Sequence, residues 1–116
     1  MPKRSDPGGR EHWTRIVYVI ELDPAACADR RSACDGDCGK TPVYVGQTAR
    51  TAEERLAQHL EGYKASPWVK KYGQHLRADL ADGYDEMPTV EESQAAEAEL
   101  AKALRIDGRF CVYGGH

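Results

Sequence analysis

Tyr44-Val45-Gly46-Gln47-Thr48 is followed by Arg55 and then by His59. An Arg and a His four residues apart stand one turn apart on a helix. The guanidinium can hold an anion through paired N–H groups. The imidazole, with an ordinary pKa near 6.5, can move protons at neutral pH. The plainer reading of both is a solvated pair on a surface helix. A carboxylate adds to the case. With about 3.6 residues per turn, Val90, Ser93, Glu97, Leu100, Ala101 and Leu104 share one face of a helix. Glu97 then sits in the middle of an apolar stripe, and burying a lone carboxylate is costly unless a cation or metal meets it. The plainer reading is a Glu at the core margin paired to an Arg, such as Arg55. Tyr18 lies within Ile16-Val17-Tyr18-Val19-Ile20. On that strand alone, a core aromatic whose hydroxyl finds a partner is the preferred reading.

The elements that must position these groups follow from pattern. Residues 13–22 read as a strand, and the unbroken apolar run predicts burial on both faces. Residues 42–47 read as a second strand, begun by Pro42 and closed by Gly46, where the backbone can turn or a ligand can approach closely. Thr51-Ala52-Glu53-Glu54 is a capping box, so a helix runs from there to Gly62, with Leu56 and Leu60 facing the core and Arg55 and His59 on an adjacent stripe. Ser66-Pro67 starts a short helix over 66–72. Residues 74–80 alternate like a half-exposed strand, with a short helix as the alternative. Thr89-Val90-Glu91-Glu92 is a second capping box, opening a long helix that ends near Gly108. Phe110-Cys111-Val112-Tyr113 reads as an edge strand or a packing tail.

The chain of 116 residues fits one small domain, with a net charge of −3. That balance counts against a protein coated in DNA, since bulk phosphate affinity comes from Lys and Arg. The distribution is uneven, however. Residues 63–78 carry Lys64, Lys70, Lys71, His75 and Arg77 without an acid, interleaved with Tyr63, Trp68 and Tyr72. That mixture suits a phosphate backbone and exposed bases, and equally an ordinary amphipathic helix. Residues 1–12 read as a flexible polar arm and residues 13–116 as the domain. No secretory signal or membrane-spanning stretch is visible, so a cytoplasmic protein is the expectation. Residues 23–41 form a long loop holding Cys27, Cys34 and Cys38; Cys111 is the last of four cysteines. Cys34-x3-Cys38 suits a structural Zn2+, with Cys27 and Cys111 as further thiolates; plain thiols or a disulfide are the alternatives.

Taken together, these residues resemble the GIY-YIG endonuclease family. Ile16-Val17-Tyr18 is similar to the first motif, with isoleucine in place of its glycine. Tyr44-Val45-Gly46 is similar to the second. Thr48, Arg55 and His59 resemble the helix after it, and Glu97 with Leu100 and Ala101 resembles the motif on the last main helix. The likeness runs from about Arg15 to Gly108, with the cysteine loop as an insertion between the two tyrosine motifs. It implies an α+β fold: a small three-stranded, mainly antiparallel sheet flanked by helices. It also implies metal-dependent hydrolysis of phosphodiester bonds in DNA, RNA not being excluded. By that likeness Glu97 holds one Mg2+ or Mn2+, Arg55 neutralises the scissile phosphate, Tyr18 orients or deprotonates the attacking water, Tyr44 supports phosphate binding, and His59 shares or takes the general-base role. Gly46, Thr48, Tyr63, Lys64, Lys70, Lys71 and Arg77 are the candidate nucleic-acid contacts. The sequence departs from the family at the first-motif glycine, at a lysine after the second motif and at an asparagine expected near Arg109-Phe110.

Two other functions compete. One is a catalytically silent nucleic-acid-binding module using Tyr63 to Arg77. The other is a zinc-stapled interaction domain whose surface is the cysteine loop. A domain this small has little surface for reading a long site, so a specific cutter would need a homodimer or a partner protein.

Overall fold

The structure, a computed structural model, describes residues 15–28, 40–62, 65–84 and 87–114. Its described elements are β1 (Ile16–Leu22), α1 (Ala25–Ala28), β2 (Thr41–Thr48), α2 (Ala52–Glu61), α3 (Pro67–Tyr72), β3 (Gly73–Leu76), α4 (Val90–Asp107) and β4 (Phe110–Gly114). The strands form one sheet in the order β3-β1-β2-β4. β1 pairs antiparallel with β2, setting Tyr18 opposite Gly46, and antiparallel with β3, setting Ile20 opposite Leu76. β4 pairs parallel with β2, setting Tyr44 opposite Tyr113.

The α+β class holds, but the sheet is four-stranded and mixed, not three-stranded and mainly antiparallel. The difference comes from the end of the chain. α4 runs 18 residues, about 27 Å, and stops at the left-handed Gly108. That length carries the chain back along the sheet, so the following strand lies parallel to β2. β4 then contributes to both sides of the sheet, Phe110 and Val112 to one core and Cys111 and Tyr113 to the other.

The sheet is covered on both faces, which explains the unbroken apolar runs. On one face, Val17, Val19, Val43 and Val45 pack against Leu100, Ala101 and Leu104 of α4. On the other, Tyr18, Ile20 and Leu22 pack with Val69, Leu56 and Trp68 from α2 and α3. The loop expected over 23–41 begins with the short helix α1. The strand expected over 74–80 is confined to Gly73–Leu76. Beyond it, turns at 78–83 still bond β1, through the Arg77 amide to the Val19 carbonyl at 2.7 Å and the Val17 amide to the Tyr84 carbonyl at 2.8 Å.

One expected face is rotated. Leu60 is 47% exposed, whereas His59 is only 1% exposed. An imidazole with both nitrogens hydrogen-bonded is cheap to bury, so α2 turns His59 inward and Leu60 outward. The capping box of α2 is complete: Thr51 Oγ1 accepts from the Glu54 amide, and Glu54 accepts from the Thr51 amide. The N-terminal arm, Cys34, Cys38, Tyr63 and Lys64 lie outside the described residues.

Candidate active site

The site assembles on the face of the sheet that carries α2 and α3. Alternation along β1 and β2 sends Tyr18 and Tyr44 to that face. Gly46 is the residue that makes room. A Cβ at this position would collide with Oη and Cζ of Tyr18, so the phenol lies directly over the backbone of the opposite strand. Gly114 does the same for Tyr44. Its φ is +73°, and a Cβ there would strike the Val45 carbonyl and the Tyr44 ring.

His59 completes an aromatic triangle. Its ring centroid lies 6.0 Å from that of Tyr18 and 5.5 Å from that of Tyr44, which it meets edge-on; the two tyrosines are 6.4 Å apart. His59 Nε2 lies 2.8 Å from Tyr18 Oη, and the Ser66 amide donates to His59 Nδ1 at 3.0 Å. Ser66 is thus a residue that sequence reading recognises only as a helix cap. It does cap α3, its Oγ accepting from the Trp68 amide at 3.2 Å. Its hydroxyl also opposes the rise in the Tyr44 pKa, and its backbone amide fixes His59. The only sequence signal for this is a Ser-Pro pair seven residues after His59, a spacing that brings the start of α3 back over the ring.

Electrostatics link the five residues. Burial raises the pKa of Tyr18, the nearby Tyr44 adds to that, and the charge and hydrogen bond of Arg55 oppose it. Burial also raises the pKa of Tyr44, followed by the carboxylate of Glu97, while Arg55 and the Ser66 hydroxyl oppose. Burial, then the Arg55 charge, lowers His59 to about 4, so the ring is neutral at pH 7. Glu97 is half-buried on α4, and among the described residues it is the one acid whose charge reaches both tyrosines. The charges of Arg55 and Glu97 therefore both act on the tyrosine pair, Glu97 from α4, whose apolar stripe packs on the other face of the sheet.

A polar clamp on the opposite face fixes the phase of α4. Ser93, fully buried, accepts from Arg15 Nε at 3.0 Å and stands 2.8 Å from Gln47 Oε1. Arg15 also donates to Gln47 Oε1 through Nε at 2.9 Å and through Nη2. Glu97 follows Ser93 by four residues, one turn along the same side. Neither Arg15 nor Ser93 stands out in the sequence, because the clamp joins residues 78 positions apart.

The remaining candidates are placed less directly. Thr48 is buried, and its hydroxyl accepts from the Arg50 amide at 3.0 Å, tightening the turn into α2. The ammonium of Lys70 would stand 3.2 Å from a Cβ at Gly62, at the C-terminal end of α2, where a helix dipole favours a cation. Lys71 lies over the neighbouring Tyr72 ring at 5.2 Å. Arg77 bonds Glu21 at 2.9 Å and Asp79 at 2.9 Å, so its charge is already met within the protein. A cavity beside Tyr18 is lined by Val17, Val19, Glu53, Arg77 and Asp82 among others; Tyr44, Arg55, His59 and Glu97 are not in its wall.

Of the cysteines, Cys27 and Cys111 are buried in the same apolar cluster. Cys111 is disulfide-bonded, which leaves its sulfur no thiolate to offer a zinc ion. Among the described residues no three His, Cys, Asp or Glu side chains gather as a metal site, and no helix is long and apolar enough to cross a membrane. Compared with protein-family models, with curated proteins and with solved structures, the chain matches none.

Proposed function

We propose that this protein is a metal-dependent endonuclease of the GIY-YIG type, hydrolysing phosphodiester bonds in DNA. The observation that carries the reading is the meeting of Tyr18, Tyr44 and His59 in one aromatic triangle, with Arg55 and Glu97 acting electrostatically on both tyrosines. Perturbed groups of this kind concentrate at reactive sites.

In this reading Arg55 binds the scissile phosphate and opposes the charge that grows on it. Tyr44, whose hydroxyl is steadied by Ser66, supports the phosphate. Tyr18 orients the attacking water. Glu97 fits a hard cation. A single half-buried carboxylate suits Mg2+ or Mn2+, because Mg2+ keeps several waters and takes substrate phosphate oxygens instead of a full protein cage. When bound, the ion supplies positive charge to the leaving 3′ oxygen. At the departures from the family pattern, Ile16 opens β1 and lines the cavity beside Tyr18, and Phe110 of β4 belongs to the core.

The binding-only alternative leans on Lys70 and Lys71, which are exposed, and on Arg77, whose charge is met by Glu21 and Asp79. The test is Mg2+- or Mn2+-dependent nicking of plasmid DNA. Arg55→Ala and Glu97→Ala, each checked for an unchanged circular-dichroism spectrum, should lower the rate by at least about 100-fold. Unchanged cutting by a pure, folded Glu97→Ala protein would remove Glu97 from the site.

A further inference from the structure

A neutral imidazole has one N–H and one bare nitrogen, and the environment decides which is which. At His59 the environment is unambiguous on one side. The Ser66 backbone amide donates to Nδ1 at 3.0 Å, and a backbone N–H can only donate. Nδ1 must therefore be the bare nitrogen, and the proton must sit on Nε2. That proton points at Tyr18 Oη, 2.8 Å away. Protonating Nδ1 instead would set two donors face to face in a site that is 1% exposed.

We infer that His59 is locked by the Ser66 amide as the Nε2–H tautomer and acts on Tyr18 as a hydrogen-bond donor, not as a proton acceptor. His59 is thus a positioning residue. A neutral phenol oxygen has two lone pairs. One is taken by His59 Nε2–H, and the charge of Arg55 acts on the same phenol. With His59 donating to its oxygen, the buried Tyr18 keeps its own O–H as a donor. The groups facing His59 are Tyr18 from β1, Tyr44 from β2, Arg55 from its own helix and Ser66 ahead of α3. The sequence expectation that His59 shares a general-base role gives way to a role in which it donates to Tyr18 and has no bare nitrogen to offer.

The tautomer stands on geometry alone; its catalytic meaning rests on the hydrolytic reading above, and two measurements separate them. The first uses the full chain labelled with 15N. Two-bond 1H–15N correlation of the imidazoles at pH 7, with His59 assigned by its absence in His59→Gln, should show a bare Nδ1 and a protonated Nε2. A protonated Nδ1, or an imidazolium at pH 7, would overturn the assignment whether or not the protein cuts DNA. The second uses plasmid nicking. His59→Gln keeps an N–H donor and loses the basic nitrogen, so it should retain activity within about tenfold of wild type, while folded His59→Ala should lose about 100-fold. Equal loss in both variants would reinstate His59 as a base. Absence of nicking in wild-type protein would sink the nuclease reading and leave the tautomer to the first measurement.

Discussion

At Gly46 the backbone and a catalytic candidate compete for the same space. Tyr18 occupies the volume that any side chain at Gly46 would need. Gly46→Ala should therefore displace the phenol, cost about 1–3 kcal/mol of stability and lower activity more than a surface mutation would. Thermal melts and nicking rates read both effects. His59 adds a pH signature. Burial lowers its folded pKa to about 4, against about 6.5 unfolded. Between those values the unfolded chain binds the extra proton, so stability is fully present above pH 6.5 and is lost as pH falls toward 4. The shift corresponds to about 3 kcal/mol at most. Urea midpoints at pH 7 and pH 4.5 should fall more steeply for wild type than for His59→Gln. Parallel slopes for the two proteins would mean that His59 titrates normally.

At the scale of elements, α4 owes its rotational phase to Ser93. Ser93→Val would leave Arg15 and Gln47 without their shared partner inside the fold, a loss of about 1–3 kcal/mol, and would loosen the turn that carries Glu97. A lowered melting temperature with a weaker apparent Mg2+ dependence is the expected pair of results. Much of this level was legible beforehand. β1 and β2 announce themselves by β-branched runs too short for a helix, and α2 and α4 by Thr caps that the structure uses as expected. The inward turn of His59 was not legible. Helical periodicity counts Leu60 as core and His59 as polar, and the reversal depends on Tyr18 and Ser66, which lie 41 and 7 positions away. The half-buried position of Glu97 was legible because a carboxylate within an apolar stripe breaks the pattern. The Ser93 clamp was not, since a serine in such a stripe breaks nothing.

Across the whole molecule, β4 changes the architecture from three strands to four. A parallel edge strand cannot be told from a packing tail in five residues of sequence, because its pairing is fixed by the length and direction of α4. Its side chains serve both cores, so a chain ending at Gly108 should fail to fold, as read by loss of near-ultraviolet dichroism. A folded truncation would make β4 an accessory. The net charge of −3, with 19 acidic residues against 16 Lys and Arg, also predicts modest nucleic-acid affinity, because the acids oppose the phosphate attraction of the bases.

The central claim is that Glu97 and Arg55 work with the tyrosine pair on a phosphodiester. Its most direct measurement is the Mg2+-dependent rate of plasmid nicking by wild type beside folded Arg55→Ala and Glu97→Ala proteins. The account predicts metal-dependent product from wild type and a loss of at least about 100-fold in each variant. Nicking that persists in both variants, or that ignores the metal, would contradict it.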